Sequence, residues 1–498
     1  MPIHPLLFAA YAVLFLYAEN LSEVLLVDVE GPLVRAVAGA AVALAVAALA
    51  YRDARRGAIV ASALVVAFFG YGHVASIVGG DPPNDAVLVA GWAVLIVAAA
   101  AYAWRGRGIR PLTTGLNTLA AVLVLLSLTT IVPYEFGRAG RAPTALTGSA
   151  VAATQTAHKP DIYYLVFDRY GSADAIERRF GITGNDLYDW LEGRGFQVPA
   201  DSRAAYRATD FSLASTLNMQ YLDNLAEEVG PDSGDRTPAQ QLIAEHEVGR
   251  FLKELGYRYY HVGSWFGPTA ANPMADESLA LGVTSEFELV LDDTTILPAL
   301  DRLRGVTTPE STFRDRHREG TLFAFRQIPR LATAPGPKFV FAHILLPHDP
   351  YVFRADETPL SESEAAAAGD EADLYEGQLE VANRHIKSIV DRLLAGSEEN
   401  DPVVIIQADE GPLLCRSVDC PEISPEYVAI RFGVLNAIYL PGDEKPLPST
   451  FTSVNTFRYV FREVFGADLE PLPDRSYTWP DNDHIYDFID VTDLLAQR

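Results

Sequence analysis

Five apolar stretches fill the first 135 residues of this chain, roughly 5–27, 33–51, 57–79, 85–104 and 112–133. No soluble core absorbs five long Ala/Val/Leu runs in succession, and four of them approach or exceed the ~20 residues that cross a bilayer as a helix. The first is broken in its second half by Glu19, Asn20 and Glu23. It has neither a basic start nor a small-residue cleavage site, so it is expected to stay as a helix rather than be removed as a leader. Arg52, Arg55 and Arg56 follow the second stretch, and Arg105, Arg107 and Arg110 follow the fourth. The other two loops carry Asp28 with Glu30, and Asp81 with Asp85. Basic loops stay on the cytoplasmic side, which places the N-terminus inside and everything beyond residue 134 outside, in a multi-pass protein of the cell membrane.

Charge divides the chain in the same place. Residues 1–140 carry as many basic as acidic side chains, so the net charge of −26 falls on the remainder. An acidic field of that size repels phosphate polymers and excludes a nucleic-acid partner. Residues 135–158, rich in Gly, Ala, Thr and Ser without periodicity, are expected to link a bundle at 1–134 to a domain at 159–498. The only cysteines, Cys415 and Cys420, lie in that domain. In an oxidising compartment they are expected to form a local disulfide, and in a reducing one they are two free thiols.

From residue 159 the pattern becomes α/β. Short apolar runs at 161–167, 338–346 and 402–407 suit buried strands, and residues 251–265 suit a helix end, a glycine and a strand. Helical patterns lie at 183–195, 211–222 and 374–395. Such alternation predicts a mainly parallel sheet covered by helices on both faces. Asp168 follows the first strand, and Asp409 and Glu410 follow a late one. Carboxylates at the C-terminal ends of strands are where such sheets place functional groups, although a lone Asp there also serves as a turn or cap. Three carboxylates suit a hard divalent cation. Thr209 or Asp210 stands where the N-cap of the 211–222 helix belongs. A hydroxyl at a helix start is either a cap or a nucleophile beside an anion.

The ordered set of Asp168, Thr209, the histidine of Pro347-His348-Asp349-Pro350, and Asp409-Glu410-Gly411 resembles the alkaline phosphatase/sulfatase superfamily. Within it, the membrane-anchored sulfatase-like hydrolases and transferases are most similar, among them lipoteichoic acid synthases and phosphoethanolamine transferases. Ser212-Leu-Ala-Ser-Thr-Leu-Asn218, Phe339-Val-Phe-Ala-His343 and Phe432-Gly-Val-Leu-Asn-Ala-Ile-Tyr-Leu-Pro441 carry the same likeness, over about residues 159–478. The resemblance implies an alkaline phosphatase-like outer domain in which Asp168, Asp409 and Glu410 are metal ligands, Thr209 is nucleophile and fourth ligand, and His348 contacts substrate. It implies one divalent ion, a donor of phosphate-ester or lipid-headgroup type drawn from membrane lipids, and an envelope glycan as acceptor. His343 reads as core and His484 as a remote candidate. Two departures stand out. Thr209-Asp210-Phe211-Ser212-Leu213 lacks the Cys/Ser-x-Pro/Ala-x-Arg context of formylglycine sulfatases, which favours phosphoryl transfer. Glu410 stands where histidine is usual, which moves the expected ion from Zn²⁺ toward Mn²⁺ or Mg²⁺. The alternatives are a phosphodiesterase or sulfatase-like hydrolase, and a pseudoenzyme that binds envelope polymers.

The topology is open to a direct check. A reporter active only outside the cytoplasm is expected to work when fused after residue 140 and to fail in the 52–56 loop. The opposite pattern would invert the orientation.

Overall fold

The computed structural model describes residues 1–78, 84–140, 159–281, 285–305, 309–395, 401–414, 423–442 and 445–496. It divides into two compact units, Met1–Ala142 with Thr284–Phe313, and Pro143–Val283 with Arg314–Arg498.

In the first unit all five apolar stretches are helices: α1 His4–Glu19, α2 Leu26–Tyr51, α3 Ala54–Val78, α4 Asp85–Arg105 and α5 Ile109–Gly140. Four of them, α2 to α5, are long and apolar enough to cross a membrane, whereas α1 is a shorter apolar helix. At 1.5 Å per residue, α1 is about 24 Å long, short of the ~30 Å hydrocarbon core. It packs against α2, α3 and α5, burying Ala9, Val13 and Tyr17 completely. Asn117 Oδ1 accepts the free N–H groups of Ile3 and His4 at 3.0 and 2.9 Å, closing the start of α1. The α2–α3 turn is tight. Arg52 takes a left-handed φ of 50°, and a Cβ on Gly57 would stand 2.3 Å from the backbone nitrogen of Ala48. Only glycine fits there.

The helices Glu286–Thr294 and Leu297–Arg304 belong to this unit, not to the domain that the sequence draws over 159–498. Arg302 grips Asp85 with two hydrogen bonds, of 2.6 and 2.8 Å. Tyr71 donates to the same carboxylate at 2.6 Å. The Ile296 N–H donates to the Phe68 carbonyl at 2.9 Å. These contacts lie toward the ends of α3 and α4 opposite the arginine loops. A cavity of about 740 Å³ opens among α2, α3 and Glu286–Thr294, lined by Ala36, Gly39, Ala40, Val65 and Leu291 among others. Helix α5 runs to Gly140, past the linker boundary expected at 134. The rest of that linker lies outside the described residues.

The second unit is built on six strands: β1 Ile162–Phe167, β2 Arg258–Val262, β3 Glu277–Leu279, β4 Lys338–Ile344, β5 Val403–Gln407 and β6 Asn436–Tyr439. Their order is β3-β2-β4-β1-β5-β6. All neighbours run parallel except β5 and β6. Every residue of β1, β4 and β5 is buried, as a sheet covered on both faces requires. On one face, Tyr163, Leu165, Val340 and Ile406 pack against Leu379, Ile386 and Val390 of the helix Glu371–Leu394. On the other, Tyr164, Val166, Phe341 and Ile405 pack against Phe211, Leu213 and Leu217 of the helix Thr209–Asn218, and against Phe457 and Phe461. Within 183–195 the helix is confined to Leu187–Glu192.

Lys338 begins β4 fully buried, with its ammonium paired to the equally buried Asp161 and donating to the Ala334 carbonyl at 2.9 Å. Removing one member of such a pair strands the other charge away from water. Lys338→Met is therefore expected to lower stability by about 3–5 kcal/mol, and Lys338→Met with Asp161→Asn to recover part of it. Thermal melts of the two variants check this; equal melting of both would show that the pair is not coupled.

Candidate active site

Side chains alternate along a strand, so residues two apart share a face. Val166 of β1 pairs with His343 of β4 and with Gln407 of β5. Val166 faces the Thr209–Asn218 helix. His343, in step with Phe339 and Phe341, therefore faces it too. So do Asp168 and Asp409, each two residues past that row. Register thus gathers three polar side chains at the C-terminal edge of the sheet, beneath the start of one helix.

Their ligand atoms all lie within 4.8 Å of one another. His343 Nε2 stands 3.7 Å from Asp168 Oδ2 and 4.0 Å from Asp409 Oδ2. All three side chains are almost wholly buried. Asp168 Oδ1, His343 Nε2 and both Asp409 oxygens nonetheless lack a hydrogen-bond partner. Buried polar atoms without partners are costly, and three neighbouring side chains that carry them match a cation in chemistry and in place. His343 Nδ1 meets the Thr269 hydroxyl at 2.8 Å, and His261 Nε2 donates to the Thr269 carbonyl at 2.9 Å. In the tautomer that donates Nδ1–H to Thr269, the ring presents a lone pair at Nε2, the usual arrangement of a metal-binding histidine.

Burial pushes the Asp168 carboxyl well above its ordinary range, and the charges of Asp409 and Glu410 add to this. Burial followed by the Glu410 charge pushes Asp409 up to about 7, while the Thr209 hydroxyl works the other way. Burial lowers His343 to about 3, keeping the ring neutral.

Glu410 behaves differently. Consecutive residues at a strand end point to opposite sides, and Glu410 turns away from the cluster into two arginines. Arg431 Nη2 pairs with Oε2, and Arg169 Nε donates to Oε1 at 3.1 Å. Burial raises its pKa, but Arg431 and Arg169 outweigh that and hold it below the usual range. It is absent from the clustered ligand atoms among the described residues. Arg169 reaches Glu410 from a left-handed backbone, φ 60°, and also pairs with Asp349. Such strain in a non-glycine residue is held only where its surroundings fix it.

Thr209 opens the first turn of its helix, but the N-cap is Ala208, without a side-chain cap. Neither Thr209 nor Asp210 caps, contrary to the sequence reading. Asp210 is instead held by Arg236 Nη1 at 3.1 and 3.0 Å. The Thr209 hydroxyl is close enough to favour the ionised form of Asp409, although neither Asp409 oxygen completes a hydrogen bond of ordinary geometry. Ser212 donates to the Asp409 carbonyl at 2.6 Å, tying helix to strand end. Ser215 donates to the Gln220 carbonyl at 2.7 Å. Neither uses the carbonyl four residues back. His348 stands at the rim, its Nε2 3.9 Å from Asp168 Oδ2 and its ring edge-on to Trp265 at 5.9 Å. His484 pairs with Asp481 at 2.6 Å on an exposed turn and takes no part in the cluster. Cys415 and Cys420 lie outside the described residues.

Without a cation the two buried carboxyls keep protons that an unfolded chain gives up near pH 4. Stability of the metal-free protein is therefore expected to fall as pH rises from about 4 to about 7. A bound cation favours the ionised forms, so its stabilisation grows over the same range. Melting temperatures with chelator and with Mn²⁺, at about pH 5 and about pH 7.5, check this. A metal-induced rise of the same size at both would show that these carboxyls do not hold the ion.

No family model matches this chain, and no curated protein does. Several solved structures match this chain at low identity. The C-terminal periplasmic domain of EcEptC from Escherichia coli matches at TM-score 0.46 and 10% identity, covering 69% of this chain and 95% of that one. The C-terminal periplasmic domain of phosphoethanolamine transferase EptC from Campylobacter jejuni matches at TM-score 0.37 and 14% identity, over 63% and 92%. A protein in the alkaline phosphatase superfamily from Vibrio parahaemolyticus matches at TM-score 0.40 and 12% identity, over 68% and 78%. At this level of likeness, the chemistry of this chain is argued from its own side chains.

Proposed function

We propose that this chain is a membrane-anchored, metal-dependent enzyme that transfers or hydrolyses phosphate esters at the outer face of the membrane, with Thr209 as nucleophile. The carrying observation is the set of four unpartnered buried atoms on Asp168, His343 and Asp409 beside a hydroxyl that caps nothing. Asp168, His343 and Asp409 would hold the ion, and the Thr209 hydroxyl stands beside Asp409. A donor set of two carboxylates and an imidazole suits Zn²⁺ or Mn²⁺ better than Mg²⁺, because Glu410, the residue that favoured a hard ion, is neutralised by arginines. Such an ion polarises a phosphoryl oxygen and makes the threonine hydroxyl easier to ionise.

Thr209 Oγ1 then attacks phosphorus, its bond to phosphorus forming as the bond to the leaving oxygen breaks. Its proton leaves through Asp409, whose carboxyl the Thr209 hydroxyl approaches. His348, neutral because burial and then the Arg169 charge lower its pKa, contacts the substrate from the rim. A hydroxyl acceptor or water resolves the phospho-threonine and restores Thr209. Four apolar helices favour a donor that resides in the bilayer, such as a lipid headgroup, with an envelope glycan as acceptor. The segment Thr209–Leu213 favours phosphoryl over sulfuryl transfer.

Because Thr209 is not a cap, its loss should leave the fold unharmed. Thr209→Ala is expected to melt within a degree or two of the parent, a change below ~0.5 kcal/mol. It should lose about three orders of magnitude or more in turnover of bis(p-nitrophenyl) phosphate with Mn²⁺ or Zn²⁺. Thr209→Ser should keep measurable turnover and yield a phospho-serine adduct. An active Thr209→Ala would place the nucleophile elsewhere. A parent that binds no divalent ion would return the chain to the class of binding proteins.

A further inference from the structure

Arg207 stands two residues before Thr209. Its carbonyl accepts from Arg431 Nε and Nη2 at 3.0 and 2.7 Å, so its backbone is fixed to the residue that grips Glu410. Its guanidinium lies over the ring of Trp479, 4.4 Å from the centroid. Trp479 is buried and packs on Phe211, with centroids 4.9 Å apart, at the start of the same helix. Stacking covers one face of the guanidinium and leaves its in-plane N–H groups available.

Three arginines gather here, and two have acids of their own: Arg431 has Glu410 and Arg236 has Asp210. Among the described residues no carboxylate pairs with Arg207. The Tyr427 hydroxyl lies beside its guanidinium, and the like charges of Arg431 and Arg236 are close by. Trp479 adds a buried Nε1–H that has no acceptor. A chain with a net charge of −26 has acids to spare, yet none of the described ones is spent here. A partly desolvated cation beside two like charges is stabilised by an anion from outside.

We propose that the Arg207–Trp479 pair is a subsite for an oxyanion, the phosphate or carboxylate that a substrate carries in addition to the phosphoryl group attacked by Thr209. The substrates so selected are those with a second anionic group near the reacting phosphorus. That assignment rests on the function proposed above, but the binding of an anion at Arg207 does not, so it is tested without metal or turnover. The full chain in neutral detergent, stripped with chelator, is titrated with inorganic phosphate at constant ionic strength, by calorimetry and by tryptophan fluorescence.

Saturable binding is expected in the parent, weakened roughly 10- to 100-fold in Arg207→Gln. Arg207→Lys, which keeps the charge and loses the planar stack, should weaken it several-fold and serves if the glutamine variant does not fold. Arg354→Gln, at an exposed ion pair, should bind like the parent. Equal affinity in Arg207→Gln or Arg207→Lys overturns the proposal, as does equal loss in Arg354→Gln. Phosphate binding that appears only after Mn²⁺ or Zn²⁺ is restored also overturns it, since the anion would then sit at the metal centre. If instead the Arg207 subsite binds phosphate while Thr209→Ala retains turnover, the subsite stands and the nucleophile assignment falls.

Discussion

The arrangement at the sheet edge depends on one buried guanidinium. Arg431 pairs with Glu410, donates from Nη1 to the Gly411 carbonyl at 2.7 Å, and from Nε and Nη2 to the Arg207 carbonyl. It thereby joins the loop after β5 to the residues that lead into the Thr209 helix. Arg169 extends the same network from the end of β1, through Glu410, to Asp349 beside His348. Four chain segments that each carry one of the candidate side chains are held by the Glu410 carboxylate between two arginines, with Asp349 at its edge. Buried ion pairs are a costly way to stabilise a fold, because desolvation consumes most of the Coulomb gain. Here the gain is positional. A charged group with several fixed donors tolerates little displacement, and Asp168 and Asp409 are the immediate neighbours of the residues so fixed.

The network also separates two kinds of carboxylate. Glu410 is paired and ionised. Asp168 and Asp409, within a few ångströms of it, have no cationic side chain of their own, and His343 is kept neutral. A site meant only to be stable would have paired all three. Leaving two carboxylates and an imidazole unpaired while spending two arginines on the third concentrates the unmet negative charge at one point, a candidate place for a divalent ion. The short stretch Asp409-Glu410 thus serves two purposes, one residue facing the cluster and the other bracing it.

Much of this was legible in the sequence, and the parts that were not share a cause. The spans and β1, β4 and β5 follow from local periodicity alone, and Asp168, Asp409 and Thr209 stand out by their places at element ends. His343 reads as core because a single strand shows which residues alternate but not which neighbour's row they join; only the register Val166↔His343 puts it on the face of the two aspartates, one row beneath them. A signal was present, since a histidine in the last turn of alternation of a parallel strand sits at the edge where such sheets work. Glu410 reads as a ligand because adjacency suggests a pair, whereas alternation argues that Asp409 and Glu410 point apart. Its partners Arg169 and Arg431 come from distant segments, beyond any local pattern. Residues 286–304 fall inside the expected 159–498 domain for the same reason, their contacts with Asp85 and Phe68 being invisible to sequence neighbours.

Thr209 shows how a small shift in register changes the chemistry available to a residue. One position earlier it would be the N-cap, its hydroxyl oxygen occupied by backbone N–H groups and its lone pairs committed. As the first helical residue it has no capping duty, and the cap position goes to Ala208, whose side chain can do nothing. The helix gives up a cap worth about 1 kcal/mol and retains a hydroxyl directed to Asp409. Ser212, one turn on, recovers some of that loss by bonding the Asp409 carbonyl. The same bond holds the helix start against the strand end that carries the carboxylate, so the tether that compensates for the missing cap also fixes the distance between the Thr209 hydroxyl and Asp409.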